Sequence, residues 1–124
     1  MFAVDMDKGW ETIPQTSGLE AKMLSGDFDE PNLKGHRSRL VRFAPGGETF
    51  APFSHTYWEE VYLVEGTLTT KEDGETLTAP AYVIRPPGTP HGPLISHDGC
   101  LLMEVQYFAD RQAGPTEFLD AKAP

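Results

Sequence analysis

Short runs of β-forming residues, separated by turn signals, cover most of the chain. The clearest run is Glu59 to Val64, where alternation places Glu59, Val61 and Leu63 on one face of a strand. Further strands are predicted at residues 19–24, 37–43, 67–70, 75–78, 81–85 and 100–108. Because no amphipathic helix of any length interrupts them, the pattern predicts an all-β barrel or sandwich.

Glycine-containing pairs mark where these strands turn back. Asp73-Gly74 predicts a hairpin, and Asp98-Gly99 predicts another hairpin turn before the last strand. Pro87-Gly88 fits the central positions of a type II turn, because glycine accepts a positive φ after proline. The APGG run at 44–47 is predicted to end the strand before it, and residues 115–124 are predicted to form one helical turn.

Composition and charge limit the partners. The 124 residues carry a formal charge of −9, which argues against a nucleic acid or an anionic membrane surface as partner. The single cysteine, Cys100, excludes an intramolecular disulfide and disfavours a cysteine-based zinc site. No apolar run is long enough to span a membrane, and no secretory pattern begins the chain. We therefore expect one cytoplasmic domain, 1–124, with an N-terminal arm at 1–30, a core at 37–108 and a tail at 109–124.

The candidate chemistry lies in two spaced sets of residues. Gly47, Phe53, His55, Glu59 and Gly66 follow the spacing G-x5-F-x-H-x3-E-x6-G. Further along, the run RPPGTPHG contains a second histidine after a tight turn. Two imidazoles and one carboxylate held by β-structure are the ligand set of a facial metal triad.

The second set, Pro86, Gly88 and His91, has the spacing P-x-G-x2-H. Together the two sets resemble the paired motifs of the cupins, G-x5-H-x-H-x3-4-E-x6-G and G-x5-P-x-G-x2-H-x3-N. The chain thus resembles a small single-domain (RmlC-like) cupin, which implies a double-stranded β-helix, or jelly-roll barrel. The resemblance also implies that His55, Glu59 and His91 are the metal ligands.

Three positions depart from the cupin pattern. Phe53 replaces the first histidine of H-x-H and cannot bind a metal; Pro80 and Ile95 replace the glycine and asparagine that bound the second motif. A barrel in which the three remaining groups bind no metal therefore stays open as an alternative. With three protein ligands, octahedral Fe(II) would keep open positions for a chelating substrate and O₂.

Longer strings indicate a branch of the family. RLVRFAPGG, EEVYLVEG, YVIRPPGTPHGP and HDGCLL resemble the ChrR-type and acetylacetone-dioxygenase-like cupins. This resemblance implies an Fe(II) oxygenase that cleaves a carbon–carbon bond of a small dicarbonyl, enol-type or aromatic substrate. The alternatives are a redox-neutral lyase, isomerase or decarboxylase using Zn, Mn, Ni or Co, and a regulatory cupin that binds metal or ligand without turnover.

The lining of the site is predicted from neighbouring positions. Phe53, Val61 and Leu63 are expected to form an apolar substrate pocket. Arg42 and Arg85 are the candidate anchors for a substrate oxygen, with a surface ion pair as the alternative for each.

Other polar and aromatic residues are assigned with alternatives. Tyr57 and Trp58 either close the mouth of the site or pack elsewhere, and Glu104 and Gln106 line either the pocket or an exposed edge. Of these, Tyr57 and Glu104 join Arg42 as candidate catalytic residues. Four others are predicted to lie outside the site: Glu60 as the rival of Glu59 on the opposite strand face, His36 and His97 at the surface, and Cys100 as a small buried side chain.

An exposed strand edge favours pairing with another chain. We therefore expect a homodimer formed through edge strands, with the N-terminal arm as the segment exchanged.

Overall fold

The computed structural model describes residues 1, 3–108 and 115–118, and these form eight β-strands. The strands are β1 (Trp10–Thr12), β2 (Thr16–Gly26), β3 (His36–Thr49), β4 (Trp58–Thr70), β5 (Thr76–Thr78), β6 (Ala81–Arg85), β7 (Leu94–Ser96) and β8 (Cys100–Tyr107). The all-β prediction is confirmed. Among the residues described there is no helix of a length and apolarity that would span a membrane.

Every strand pairing is antiparallel, and the pairings close the sheet into a barrel. Both β7 and β8 pair with β3 on one side and with β4 on the other. Strands β5 and β6 add to β4, while β2 and then β1 extend the sheet beyond β3. The N-terminal arm thus pairs within its own chain, and the homodimer stays a prediction.

Two strands are longer than the sequence predicts. Strand β3 continues through the APGG run, so the predicted break is wrong. Its pairing with β2 passes from Leu19↔Phe43 to Ser17↔Glu48, so the extra residues are taken up as a bulge and the strand does not end. The predicted strands 59–64 and 67–70 are both part of β4, which continues through Gly66.

The turns predicted at Asp73-Gly74 and Pro87-Gly88 are confirmed. The hairpin predicted at Asp98-Gly99 is wrong, because the flanking strands β7 and β8 pair with β3 and β4 and not with each other. Gly74, at φ 74°, donates its N–H to the Thr70 carbonyl between β4 and β5. Gly88 has φ 77° and Thr89 donates to the Pro86 carbonyl at 3.2 Å, as a type II turn requires. Of the predicted C-terminal helical turn the structure describes only 115–118, which are irregular; the other residues of the tail, 109–114 and 119–124, lie outside the described part.

Neighbouring strands place their inward side chains in rows across the barrel wall. One row is polar and consists of Arg37, Gln106, Glu59 and Arg85. The next contains Arg39, Glu104, Val61 and Val83, and the third is apolar, with Val41, Leu102, Leu63 and Ala81. Polar groups therefore lie at one end of the inner face, and the hydrophobic core lies at the other.

Candidate metal centre

Three backbone segments meet at the polar end of the barrel. His55 lies in the loop before β4, Glu59 is the second residue of β4, and His91 lies after the turn that follows β6. Phe53 and His91 exchange two backbone hydrogen bonds of 2.9 Å, and Gly88 donates its N–H to the His55 carbonyl at 2.9 Å. These contacts hold the two histidine loops together, so the approach of the imidazoles is fixed by backbone pairing.

A backbone carbonyl fixes the tautomer of each imidazole when the ring is neutral. His55 Nδ1 lies 3.0 Å from the Tyr57 carbonyl oxygen, and His91 Nδ1 lies 3.1 Å from that of Thr89. A carbonyl oxygen only accepts, so each Nδ1 carries the hydrogen and a neutral ring has its lone pair on Nε2. Both Nε2 atoms are buried, and neither has a hydrogen-bond partner in the part of the chain that the structure describes.

The free nitrogens face the carboxylate of Glu59. Glu59 Oε1 lies 3.7 Å from His55 Nε2 and 3.9 Å from His91 Nε2, and the three ligand atoms all lie within 4.8 Å of one another. When both rings are neutral, the three lone pairs converge on one space. Nitrogen and carboxylate ligands converging in this way fit a divalent metal ion, and the orphaned nitrogens are satisfied when one binds.

Glu59 is held in place by two donors from the polar row. Gln106 Nε2 donates to Oε2 at 2.5 Å, and Arg85 Nη1 donates to Oε1 at 2.8 Å. Gln106 is fully buried and accepts in turn from Arg37 Nε at 2.5 Å. Burial alone would raise the pKa of Glu59, but its interactions with His55, Gln106 and Arg85 lower the pKa to about 2. The carboxylate is therefore ionised at neutral pH, as a metal ligand must be.

Aromatic rings fix the faces of both imidazoles. The Tyr57 ring stacks on His55 with centroids 3.8 Å apart and an interplanar angle of 4°. Phe53 meets the His91 ring edge-on at a centroid distance of 4.1 Å. Burial, together with the positive charge of Arg85, lowers the pKa of His91, so this ring is neutral at neutral pH. Phe53 replaces a ligand of the cupin pattern with a side chain that packs against one.

Glu59 and His91 of the triad line a cavity of about 440 Å³. The wall is mainly apolar, and its buried aliphatic and aromatic members are Leu19, Val41, Phe43, Leu68, Leu94 and Leu102. Phe50 and Phe53, both more than 40% exposed, lie towards solvent. A cavity of this size and character accommodates a small organic molecule.

The three residues predicted to line the pocket lie in different surroundings. Phe53 lines the cavity, but Val61 and Leu63 do not. Alternation places both on the inner face as predicted, at 3% and 2% exposure, where they belong to the core. Their cross-strand neighbours on β8, Glu104 and Leu102, line the cavity in their place.

Arg42, a predicted anchor, lies outside the cavity. Its guanidinium pairs with Glu20 at 2.9 Å and stacks over the Trp10 ring at 3.9 Å, on the outer face of β3. Val41 and Phe43 point inwards, so the residue between them must point outwards. Arg42 therefore forms a surface ion pair, which was the alternative for this residue, and it is not part of the site proposed below.

The arginine that lines the cavity from β3 is Arg39, which the sequence analysis missed. Its Nε donates to Glu104 Oε1 at 2.7 Å, and both side chains line the cavity together with Arg85 and Tyr57. Burial, followed by the charge of Glu59, raises the pKa of Glu104. The alternation of Arg39 with Val41 and Phe43 along RSRLVRF is the signal that could have identified it.

The remaining predictions concern residues outside the triad. Gln106 is buried behind Glu59, whereas Glu60 accepts from the Tyr82 hydroxyl across the outer face at 2.5 Å. As expected, His97 is exposed and Cys100 is buried in the core. His36 pairs with Asp27 and is half exposed, and Trp58 does not line the cavity.

Comparisons with solved structures show the fold. An acetylacetone dioxygenase from Acinetobacter johnsonii matches with a TM-score of 0.68 and 19% identity over 89% of this chain and 78% of that one. An RmlC-like cupin from Shewanella frigidimarina matches with a TM-score of 0.67 and 25% identity, over 88% of this chain and 91% of that one. A chain in the Rhodobacter sphaeroides complex of SigE with the anti-sigma ChrR matches with a TM-score of 0.60 and 13% identity, over 82% of this chain and 50% of that one.

Among curated proteins, none matches the sequence. The family model described as the ChrR cupin-like domain matches residues 2–107, which is most of the chain. The protein therefore belongs to the ChrR cupin-like domain family.

Proposed function

We propose that the protein is a mononuclear metal-dependent oxygenase that uses Fe(II) to cleave a carbon–carbon bond of a small dicarbonyl, enol-type or aromatic substrate. One observation carries the proposal. Two buried Nε2 atoms, without a hydrogen-bond partner among the described residues, and one ionised carboxylate oxygen converge beside an apolar cavity. Bound there by His55, Glu59 and His91, the ion would supply Lewis acidity and the redox chemistry that O₂ requires.

The side chains around the triad have separate roles in this proposal. The apolar wall excludes water from the reacting groups and selects a mostly apolar substrate. Burial, together with the charge of Glu59, raises the pKa of Tyr57 to about 12, so its hydroxyl is a neutral donor at the cavity wall. Glu104, whose pKa is raised by burial, is the group we assign to accept the proton that an enolisable substrate loses.

The likeness to an acetylacetone dioxygenase supports the choice of O₂ chemistry over other metal chemistry. At 19% identity the likeness shows the fold, and the reaction is proposed from the triad and the cavity of this chain. The same triad and cavity serve a redox-neutral lyase, isomerase or decarboxylase equally well, so this class is the second candidate. A third is a binding module, favoured by the family description and by the SigE–ChrR complex.

Oxygen consumption distinguishes these candidates. We expect Fe(II)-loaded protein to consume O₂ in step with the loss of an enolisable diketone such as acetylacetone or phenylacetylacetone. His91→Gln should abolish the reaction, whereas His97→Gln, at an exposed histidine six residues away, should leave it unchanged. Loss of substrate without O₂ uptake would move the assignment to the redox-neutral class, and zinc retained without any turnover would favour the binding module.

A further inference from the structure

Two guanidinium groups line the cavity from opposite sides of the polar rows. Arg39 projects from β3 and Arg85 from β6, and their side chains are 22% and 13% exposed. Within the described residues each has one hydrogen bond to a carboxylate, through Nε of Arg39 and Nη1 of Arg85. Because a guanidinium has five N–H donors, most of the donors of both groups are left for a ligand or water in the cavity.

Each carboxylate that lines the cavity already accepts at least one hydrogen bond. Glu104 Oε1 accepts from Arg39, while the two oxygens of Glu59 accept from Arg85 and Gln106. The Thr49 hydroxyl oxygen, also at the wall, accepts from the Leu94 N–H. The cavity therefore has a surplus of donors, and the ligand that complements it is an acceptor.

The balance of charge favours an anion. Arg39 and Arg85 offset Glu104 and Glu59, so the four groups carry no net charge. A divalent ion at the triad adds two positive charges to this partly buried and mainly apolar space. A ligand with negative charge reduces the resulting cost of burying unbalanced charge. This step rests on the proposed function, since it requires the metal.

We propose that the substrate is a small organic anion with a carboxylate or enolate head and an apolar body, and that Arg39 and Arg85 bind the head. The body lies against the leucine and phenylalanine side chains of the cavity, whose volume of about 440 Å³ sets the upper limit on its size. Arg39 is a specificity-determining residue, because its free donors distinguish an anion from a neutral molecule of the same shape.

Isothermal titration of zinc-loaded protein with phenylacetate and phenylacetamide, which share a ring and differ in charge, tests the proposal. We expect phenylacetate to bind at least about tenfold more tightly, because a hydrogen bond to a charged group is stronger than a neutral one. Phenethylamine, with a cationic head, should give no measurable heat. Equal binding of the acid and the amide would overturn the proposal.

Two variants separate Arg39 from the metal as the source of selectivity. Arg39→Met combined with Glu104→Gln removes the whole ion pair, so that no buried carboxylate is left unpaired. We expect this variant to lose about tenfold in affinity for phenylacetate and to keep its affinity for phenylacetamide. Arg42→Met removes a charge from the outer face of the same strand and should alter neither. Unchanged phenylacetate selectivity in the double variant would overturn the role of Arg39.

The same titrations in chelator-treated protein distinguish this inference from the proposed function. If zinc fails to load, the metal-dependent function is overturned. A preference for phenylacetate that depends on Arg39 in metal-free protein would then still support the anion site. If zinc loads and no preference is found, the function stands and the anion site is overturned.

Discussion

The two ends of the barrel's inner face are formed by the same four strands, β3, β8, β4 and β6, with the same alternation of side chains, yet one end is polar and the other is apolar. The polar end carries Arg37, Gln106, Glu59 and Arg85, whereas the apolar end carries Val41, Leu102, Leu63 and Ala81. At the apolar end every side chain gains from burial alone. At the polar end each charged group needs a partner, and among the described residues the neighbouring histidine Nε2 atoms have none.

This difference indicates how stability and chemistry are divided within one small sheet. The apolar end stabilises the fold without any ligand. The polar end is an arrangement of donors and acceptors that is incomplete until a cation binds among His55, Glu59 and His91. Changes at the two ends should therefore alter different observables.

The largest effect is expected from a truncation at the apolar end. Leu63 is 2% exposed, and Leu63→Ala should lower the free energy of unfolding by about 2–5 kcal/mol through lost burial and a residual cavity. Metal affinity should be unchanged in the folded protein, because Leu63 lies two rows from Glu59 and outside the cavity. Urea unfolding and zinc titration measure the two quantities. If the folded Leu63→Ala variant lost zinc binding, the proposed separation of stability and metal binding between the two ends would be contradicted.

A somewhat smaller effect is expected from a polar-end residue that does not touch the metal. Gln106→Leu removes the donor to Glu59 Oε2, so the carboxylate is no longer held towards the histidines. Outer-shell partners of this kind are worth about 10–100-fold in metal affinity. Cobalt(II) titration followed by absorbance measures the loss, with Met103→Leu on the outer face of the same strand as the control.

A second substitution at the same position shows whether hydrogen-bond donation matters. Gln106→Glu, when ionised, still accepts from Arg37 but cannot donate to Glu59. We expect its cobalt affinity to fall as well. Affinity equal to that of the original protein would mean that Gln106 only fills space and pairs with Arg37.

The smallest effect expected is a dependence of stability on pH in the metal-free protein. The pKa of Glu59 is about 2 when folded, below its ordinary value of 4.5, so its contribution is present above pH 4.5 and is lost as pH falls towards 2. By pH 4 the loss should be about 1 kcal/mol relative to pH 7. Glu59→Gln should remove this part of the dependence, whereas Glu20→Gln, at an exposed ion pair, should retain it. Identical pH profiles for the two variants would contradict the assignment.

The sequence predicts the triad because motif spacing is a local property. His55 and Glu59 are four residues apart, and the turn signal at Pro87-Gly88 places His91. Side chains alternate along β3, so the arginine that faces the cavity is the one on the same face as the buried Val41 and Phe43.

Features that depend on cross-strand register were not predictable in the same way. The pairing of Arg39 with Glu104 joins residues 65 positions apart, and it is set by the β3–β8 register. The lining of the cavity also depends on register. Val61 and Leu63 were expected to line it, but their partners on β8, Glu104 and Leu102, line it instead. The continuation of β3 through its bulge depends on pairing with β2, a partner that local turn signals do not reveal.

The most direct test of the central claim is a crystal structure of the zinc- or iron-loaded protein with anomalous diffraction recorded at the metal edge. The account predicts one anomalous peak per chain, within about 2.0–2.2 Å of His55 Nε2, His91 Nε2 and a Glu59 carboxylate oxygen. A saturated crystal with no peak between these atoms, or with both imidazoles hydrogen-bonded through Nε2 to protein groups, would contradict it.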